Sequence, residues 1–280
     1  MTGTRAGGRI LSALFVAGLL AGCGPRGDRD GINLEGQSAD QIFSSGQAAL
    51  DQDNPERALR YFDAIEQRYP YTLYARRALI MQAFAYHQAK EYDKAREAAQ
   101  RFLDYYGGDD DAAYAQYLIA LSYYDQIDEV GRDQGLTFQA LQSLRTVIER
   151  YPDSEYARSA TLQFDLAFDH LAAKEMEIGR YYLKRQNYTA AISRFRAVVE
   201  QYQTTSQTPE ALLRLVESYL ALGLTAEAQT AGAILGYNYQ ASPFYDDAHR
   251  LLTGRGLNPD VTGDNWLASI YRQTVRGEWL

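Results

Sequence analysis

SADQIFSSGQAALDQDNPERALRYFDAIEQRYP, residues 38–70, carries the pattern that decides the fold. Ser38 with Gln41 three residues on fits a capping box at the start of a helix. Asn54-Pro55 fits an N-cap followed by proline at the first helical position, which starts a second helix. Pro70 then stops it. Within this pair Gly46, Ala58, Phe62 and Pro70 stand at the spacing of a helix–turn–helix repeat of about 34 residues. A small side chain at Gly46 or Ala58 lets two antiparallel helices approach, and Phe62 fills the gap beside it.

The plan returns along the chain. Ala83, Tyr86, Ala95 and Phe102 mark a second unit, with Gly107 where the terminating proline would stand. Tyr117, Ala120 and Tyr124, then Ala140, Leu144, Val147 and Pro152, mark the third. Gly179, Tyr182, Ala191, Phe195 and Val198 mark the fourth, and Leu212, Leu215, Tyr219, Ala228 and Leu235 the fifth. The central alanines fall at 58, 95, 140, 191 and 228, so the gaps are 37, 45, 51 and 37. A polar loop around Asp128 to Gly135 accounts for the first long gap. Extra helix over Tyr156 to Ala173, continuous with the helix that carries Gly179, accounts for the second. The joins Tyr69-Pro70-Tyr71-Thr72, Tyr151-Pro152-Asp153-Ser154 and the looser Tyr202-Gln203-Thr204-Thr205 echo one another. The expected fold is all-α: a superhelical stack of about five tetratricopeptide-like repeats sharing one core. Repeats one to three occupy 38–152 and repeats four and five 153–250. In 251–280 the pattern breaks at Gly254, Gly256, Pro259 and Gly263. A last helix follows, with Trp266, Leu267, Ile270, Tyr271, Val275 and Trp279. It is either a capping helix that seals the open end of the stack or a helix that binds a partner.

Composition agrees with a packed protein: 46% hydrophobic and 23% charged over 280 residues. The 23 tyrosines outnumber 10 phenylalanines and 2 tryptophans, which suits surfaces and seams where one end of the ring stays wet. A net charge of −8 argues against general nucleic-acid binding, which needs a basic field.

The N-terminus reads as a leader. Arg5 and Arg9 precede an apolar run, Ile10 to Leu20, too short for a span of roughly 20 residues. The run ends in Leu20-Ala21-Gly22-Cys23, which resembles the lipobox of bacterial lipoproteins, and Cys23 is the only cysteine. Residues 1–22 are therefore expected to be a lipoprotein signal peptide. Residues 23–37 are expected to be the lipidated cysteine and a tether. Several acyl chains on Cys23, at about 0.8 kcal/mol per buried CH₂, would hold the chain on a membrane. Gly24 stands where an Asp would resemble an inner-membrane retention signal, so the expected address is the outer membrane, facing the periplasm.

Catalytic patterns are absent from the sequence. His87, His170 and His249 have no carboxylate or cysteine at ligand spacing, and Asp109-Asp110-Asp111 lacks EF-hand spacing. No phosphate loop or nucleophile motif appears. The expectation is a protein that is not an enzyme and takes no cofactor or metal.

The run Leu171-Ala172-Ala173-Lys174-Glu175-Met176-Glu177-Ile178-Gly179-Arg180-Tyr181-Tyr182-Leu183-Lys184-Arg185 is similar to the most recognisable stretch of the BamD family, as are Tyr188, Ala190, Ala191, Ile192, Arg194 and Phe195 after it. Asp153-Ser154-Glu155-Tyr156-Ala157 resembles its counterpart, and so does the pairing of Tyr114 and Tyr117 ahead of Arg132-Asp133. The likeness spans nearly the whole mature chain. Tyr106-Gly107-Gly108-Asp109 departs from it, where many relatives carry a proline-bearing join.

This resemblance implies a lipoprotein subunit of the machinery that assembles outer-membrane β-barrel proteins. N-terminal repeats would receive an aromatic C-terminal signal of unfolded barrel proteins. C-terminal repeats would dock on the periplasmic domains of the barrel-shaped insertase (BamA type), alongside accessory lipoproteins. In such stacks the first helix of each unit lines the concave face. Counting along those helices points Phe43, Gln47, Leu50, Arg77, Ile80, Phe84, His87, Leu118 and Ser122 inward as the peptide-binding set. Arg185, Asn187 and Arg194, in the matching stretch, are the candidates for insertase docking. The alternative is another periplasmic repeat scaffold, coordinating envelope growth or division through the same concave surface. Such relatives more often carry a coiled coil or lack the lipobox.

Overall fold

The computed structural model describes residues 32, 34–130, 132–263 and 265–276. The expected signal peptide, Cys23 and Trp279 lie outside the described residues. Twelve helices, and no strand among the described residues, make up the fold. They are α1 (Ala39–Asp51), α2 (Pro55–Arg68), α3 (Leu73–Gln88), α4 (Tyr92–Tyr106), α5 (Ala112–Tyr124), α6 (Gly135–Arg150), α7 (Glu155–Lys184), α8 (Tyr188–Gln201), α9 (Thr208–Ala221), α10 (Thr225–Asn238), α11 (Pro243–Thr253) and α12 (Trp266–Arg276). Each of α1 to α10 packs on the next in the chain. The pairs α1–α3, α3–α5, α5–α7 and α9–α11 also touch, which makes the odd-numbered helices the inner wall of the stack.

Local chemistry fixes the units. Asn54 Oδ1 accepts from Arg57 N (3.0 Å) and Asn187 Oδ1 from Ala190 N (3.3 Å), so two second helices begin on the same cap. Ser38 N donates to Gln41 Oε1 (3.0 Å) at the head of α1. The turns inside four units share one device: Asp53, Lys90, Gln186 and Gly223 all have positive φ, between 54° and 76°, one residue before the N-cap. At 53 and 90, and again at 186 and 223, the spacing matches the 37-residue gap of the sequence repeat. The third unit, with its long loop, lacks the device. The far ends match too. Tyr69, Tyr151, Tyr202 and Tyr239 follow α2, α6, α8 and α10 with φ near −130° and ψ between 37° and 51°. The Tyr69 hydroxyl donates to the Gln37 carbonyl (2.8 Å), and that of Tyr239 to the Gln203 carbonyl (3.2 Å). Each bond ties the end of a second helix to the chain just before a first helix.

Inside a unit the helices meet through a glycine. A Cβ at Gly46 would stand 2.6 Å from the Phe62 ring, and one at Gly179 would stand 2.4 Å from Phe195. Both phenylalanines are fully buried. The seam between units one and two is partly polar. Gln82, buried on α3, donates through Nε2 to Asp63 Oδ1 (2.9 Å) and Glu66 Oε2 (3.2 Å) on α2. Arg101 on α4 donates to Glu66 Oε1 (2.7 Å). Burial raises the Asp63 pKa, Glu66 raises it further, and Arg101 opposes both.

The 30-residue α7, about 45 Å long at 1.5 Å per residue, departs most from a regular repeat. Its first half, through Ala160, Phe164, Ala167 and Leu171, packs with Leu141, Leu144 and Val147 of α6. Its second half, through Ala172 and Met176, joins the core of α8 to α12. The expected extra helix is therefore a single rod serving two cores. At the C-terminus, α11 takes the place after α9 and α10. The expected capping helix, α12, lies against α10, with Leu267, Ala268 and Ile270 buried. The Trp266 indole N–H donates to the Tyr219 hydroxyl (3.0 Å) under the Arg196 guanidinium (4.7 Å). The apolar side of α12 thus belongs to the chain's own core.

Two variants test this packing. Gly179→Ala drives a methyl into Phe195, and overpacking of this kind costs about 1–3 kcal/mol. At about 2–4 °C per kcal/mol, thermal denaturation followed by circular dichroism should show a clear fall in Tm. An unchanged Tm would mean that the two helices do not touch there. Asp63→Asn keeps the acceptor for Gln82 and removes a charge that burial disfavours. Because the folded pKa of Asp63 is raised, its ionisation lowers stability as pH rises past the ordinary carboxylate range. The variant's Tm advantage over the wild type should accordingly be larger at pH 7 than at pH 4.

Candidate functional site

The first inner-wall helices bring part of the expected peptide-binding set together. The Phe43 ring on α1 lies 5.7 Å from that of Tyr74 on α3 and 5.7 Å from that of Phe62 beneath it. Arg77, one residue along from the ion-paired Arg76 (2.6 Å to Asp109 Oδ2), lays its guanidinium over Phe43 at 4.9 Å. Arg77 is exposed and has no carboxylate partner among the described residues. Gln47 is exposed, and Phe84 and His87 are half-buried. His87 Nε2 lies 3.0 Å from Asp125 Oδ2, not aligned as a hydrogen bond, and its ring meets Tyr92 edge-on at 5.4 Å. Burial and the Asp125 charge raise the Tyr92 pKa. Together these give one face with an aromatic floor, an amide and an open guanidinium.

Other members of that set lie elsewhere. Leu50, Ile80 and Leu118 are buried in seams between helices and offer no surface to a ligand. Phe43 itself is 3% exposed, so it supports Arg77 rather than meeting solvent. Ser122 is fully buried, and its hydroxyl has no partner among the described residues. The physical reason is that α3 and α5 are flanked by neighbours on several sides, so a residue counted inward from one neighbour is packed on another. Tyr74 was not in the expected set, because nothing in its spacing sets it apart from Tyr71 three residues earlier.

The docking candidates sit around the second half of α7. Arg194 Nη1 donates to Glu175 Oε2 (3.1 Å), bridging α8 to α7. The Arg185 guanidinium stands over the Tyr181 ring at 4.4 Å. Asn187 is the N-cap of α8, its side-chain oxygen bound to Ala190 N. On the adjoining inner wall Arg180 reaches Glu210 Oε2 (3.0 Å), and Arg214 reaches both Glu210 (3.2 Å) and Glu217 (2.9 Å). Partly exposed pairs such as these are worth about 0–1 kcal/mol each in stability, so they serve to position side chains more than to hold the fold.

Among the described residues no cluster of three or more His, Cys, Asp or Glu side chains could hold a metal ion. Among them, too, no helix is long and apolar enough to cross a membrane.

Comparison with known proteins places the chain. The profile of the YfiO family, described as outer membrane lipoprotein, matches residues 35–234. A protein of Caulobacter vibrioides called outer membrane protein assembly factor BamD is 45% identical over 90% of this chain and 82% of its own length. The Rickettsia prowazekii protein of that name is 41% identical over 87% of this chain and 96% of its own. One from Neisseria meningitidis serogroup A is 29% identical over 86% and 94%. With its profile match running from repeat one into repeat five and relatives this similar over four-fifths or more of their lengths, the chain belongs to the BamD (YfiO) family of outer membrane lipoproteins.

Proposed function

We propose that this chain is a lipid-anchored subunit of the outer-membrane β-barrel assembly machinery. Acylated Cys23 would hold it on the periplasmic face of the outer membrane. The inner wall at α1 and α3 receives an unfolded barrel protein, and the region around Arg185 and Arg194 docks on the insertase subunit. The names of the relatives support the assembly role. The observation that carries the peptide site is Arg77: an open guanidinium over Phe43, with Gln47 and Phe84 as flanking candidates. A guanidinium so placed matches the terminal carboxylate of a peptide, while the half-buried rings of Tyr74 and Phe84 on the same helix suit an aromatic side chain.

For docking, Arg194 matters through its partner. Glu175 stands half-buried beside it, so a carboxylate at 194 sets two like charges together and disturbs the surface a partner would meet.

An affinity pull-down of the tagged full chain, with Cys23 intact, from mildly solubilised outer membranes tests the reading. A barrel protein with periplasmic domains should be recovered in stoichiometric amount, and Arg194→Glu should reduce that recovery several-fold. Recovery of peptidoglycan-associated or division proteins instead would assign the scaffold a different task. For the peptide site, Arg77→Glu should weaken binding of a peptide ending in Phe with a free carboxylate. The expected loss is about tenfold or more, since a hydrogen bond to a charged group contributes about 1.5–3 kcal/mol. An unchanged affinity would remove Arg77 from the site.

A further inference from the structure

The extra length of α7 has a consequence beyond the two sites above. Between α6, the middle of α7 and the end of α8 lies a groove of about 500 Å³. Its walls include Phe138, Leu141, Arg145, Phe164, Phe168 and Tyr202. The rings form a continuous floor: Phe164 stacks on Phe168 (5.8 Å, 21° between planes), and Phe168 meets Tyr202 at 4.9 Å. Phe138, on the first turn of α6, is 57% exposed. A single exposed Phe needs no explanation. A run of aromatic rings opening to solvent is different, because it is costly to leave wet.

The polar edge is equally specific. Arg145 is exposed and holds its guanidinium 5.5 Å from the Phe164 ring. It has no carboxylate partner among the described residues, and no acidic side chain is among the residues lining the groove. Gln142 and Gln201 supply the remaining polar groups. From Phe138 to Arg145 is seven residues of helix, about 10 Å at 1.5 Å per residue. Two positions of extended chain span about 7 Å at 3.3 Å each, and the length of the Arg145 side chain covers the difference. One guanidinium neutralises one carboxylate bidentately and is too little for a polyphosphate, in a chain whose net charge is −8.

We propose that this groove binds an extended peptide segment in which an aromatic residue and an Asp or Glu stand two positions apart. In such a segment both side chains fall on one face. The aromatic ring would lie on Phe138 and Phe168, and the carboxylate would pair with Arg145. The site goes beyond the proposed function: it lies at the junction of α6, α7 and α8 rather than at α1 and α3, and it takes an internal segment rather than a chain end.

The test uses the acylated full chain in nanodiscs and a fluorescent, end-blocked heptapeptide with Phe at its third position and Glu at its fifth. Anisotropy should show binding that weakens about tenfold when the peptide's Glu becomes Gln, and as much when its Phe becomes Ala. Arg145→Gln in the protein should abolish the distinction between the Glu and Gln peptides. Phe138→Ser should weaken both. Arg77→Gln should change neither, so failure here is separable from failure of the site on α1 and α3. A photoreactive benzoylphenylalanine at Gln142 should capture the heptapeptide, which also decides the matter if Phe138→Ser destabilises the fold. Capture that is absent, or unaltered by Arg145→Gln, overturns the proposal. So does preferential capture of a free-acid peptide ending in Phe, or of a second copy of this chain.

Discussion

The contact between Phe195 and the bare backbone of Gly179 sets the geometry on which the rest of the stack depends, and Phe62 on Gly46 repeats it. With a side chain in place of the glycine hydrogen the ring could not enter, and the two helices of the unit would be forced apart. Their separation in turn fixes where each following turn begins. Asp53, Lys90 and Gln186 tolerate a left-handed backbone there although none is glycine. Such positions are strained by about 1 kcal/mol or more and persist only where surrounding packing determines them. The same turn recurs in units two and five, which lack the glycine contact, so it belongs to the repeat as a whole. Where the seam is interrupted, at the long loop between α5 and α6, the turn is lost as well.

Length is the second constraint. A regular unit ends its first helix after about four turns, and α7 runs about twice that. One half is committed to α5 and α6, the other to α8 and beyond, so the middle is flanked by incomplete neighbours. Large apolar side chains stay exposed there, Leu162 and Leu166 on one side and Phe138 across the seam. Their exposure follows from geometry: helices that would cover them in a regular stack are displaced along the rod. A stack built from equal units would present a uniform surface. This one presents two walls of different character, joined by a rod with accessible apolar flanks.

Much of this was legible in the sequence because its signals are local. Asn54-Pro55, Pro70 and Pro152 mark boundaries through φ restriction and capping, and those act within one or two residues. The continuous α7 was legible from the 51-residue gap between alanines 140 and 191. The orientation of inner-wall side chains was not. Periodicity orients a helix that has one wet face, whereas α3 and α5 are apolar nearly all round. Ile80, Leu118 and Ser122 consequently counted as inward-facing yet lie in seams. The role of α12 was obscured for a related reason. An amphipathic terminal helix looks the same whether its apolar side meets its own chain or a partner, and only the Trp266–Tyr219 bond and buried Leu267 distinguish the two. The separate helix α11 was hidden because its pattern follows Ser242-Pro243 so closely that it continues the fifth unit.

Charge pairing separates scaffold from surface. Arg76, Arg101, Arg180, Arg194 and Arg214 each meet a carboxylate within 3.2 Å; the Arg76 pair joins α3 to the turn before α5, and the others span two helices or two turns of one. These arginines hold side chains in register. Arg77 and Arg145 are exposed and stand instead over phenylalanine rings, at 4.9 and 5.5 Å. In a chain with 36 acidic and 28 basic residues, carboxylates are plentiful, so the lack of one beside either guanidinium reflects placement rather than scarcity. A ring beneath a guanidinium fixes its plane without satisfying its donors. That leaves each guanidinium with donors available to a ligand. The two guanidinium groups lie on different helices, Arg77 on α3 in the second unit and Arg145 on α6 in the third, where different neighbours surround them.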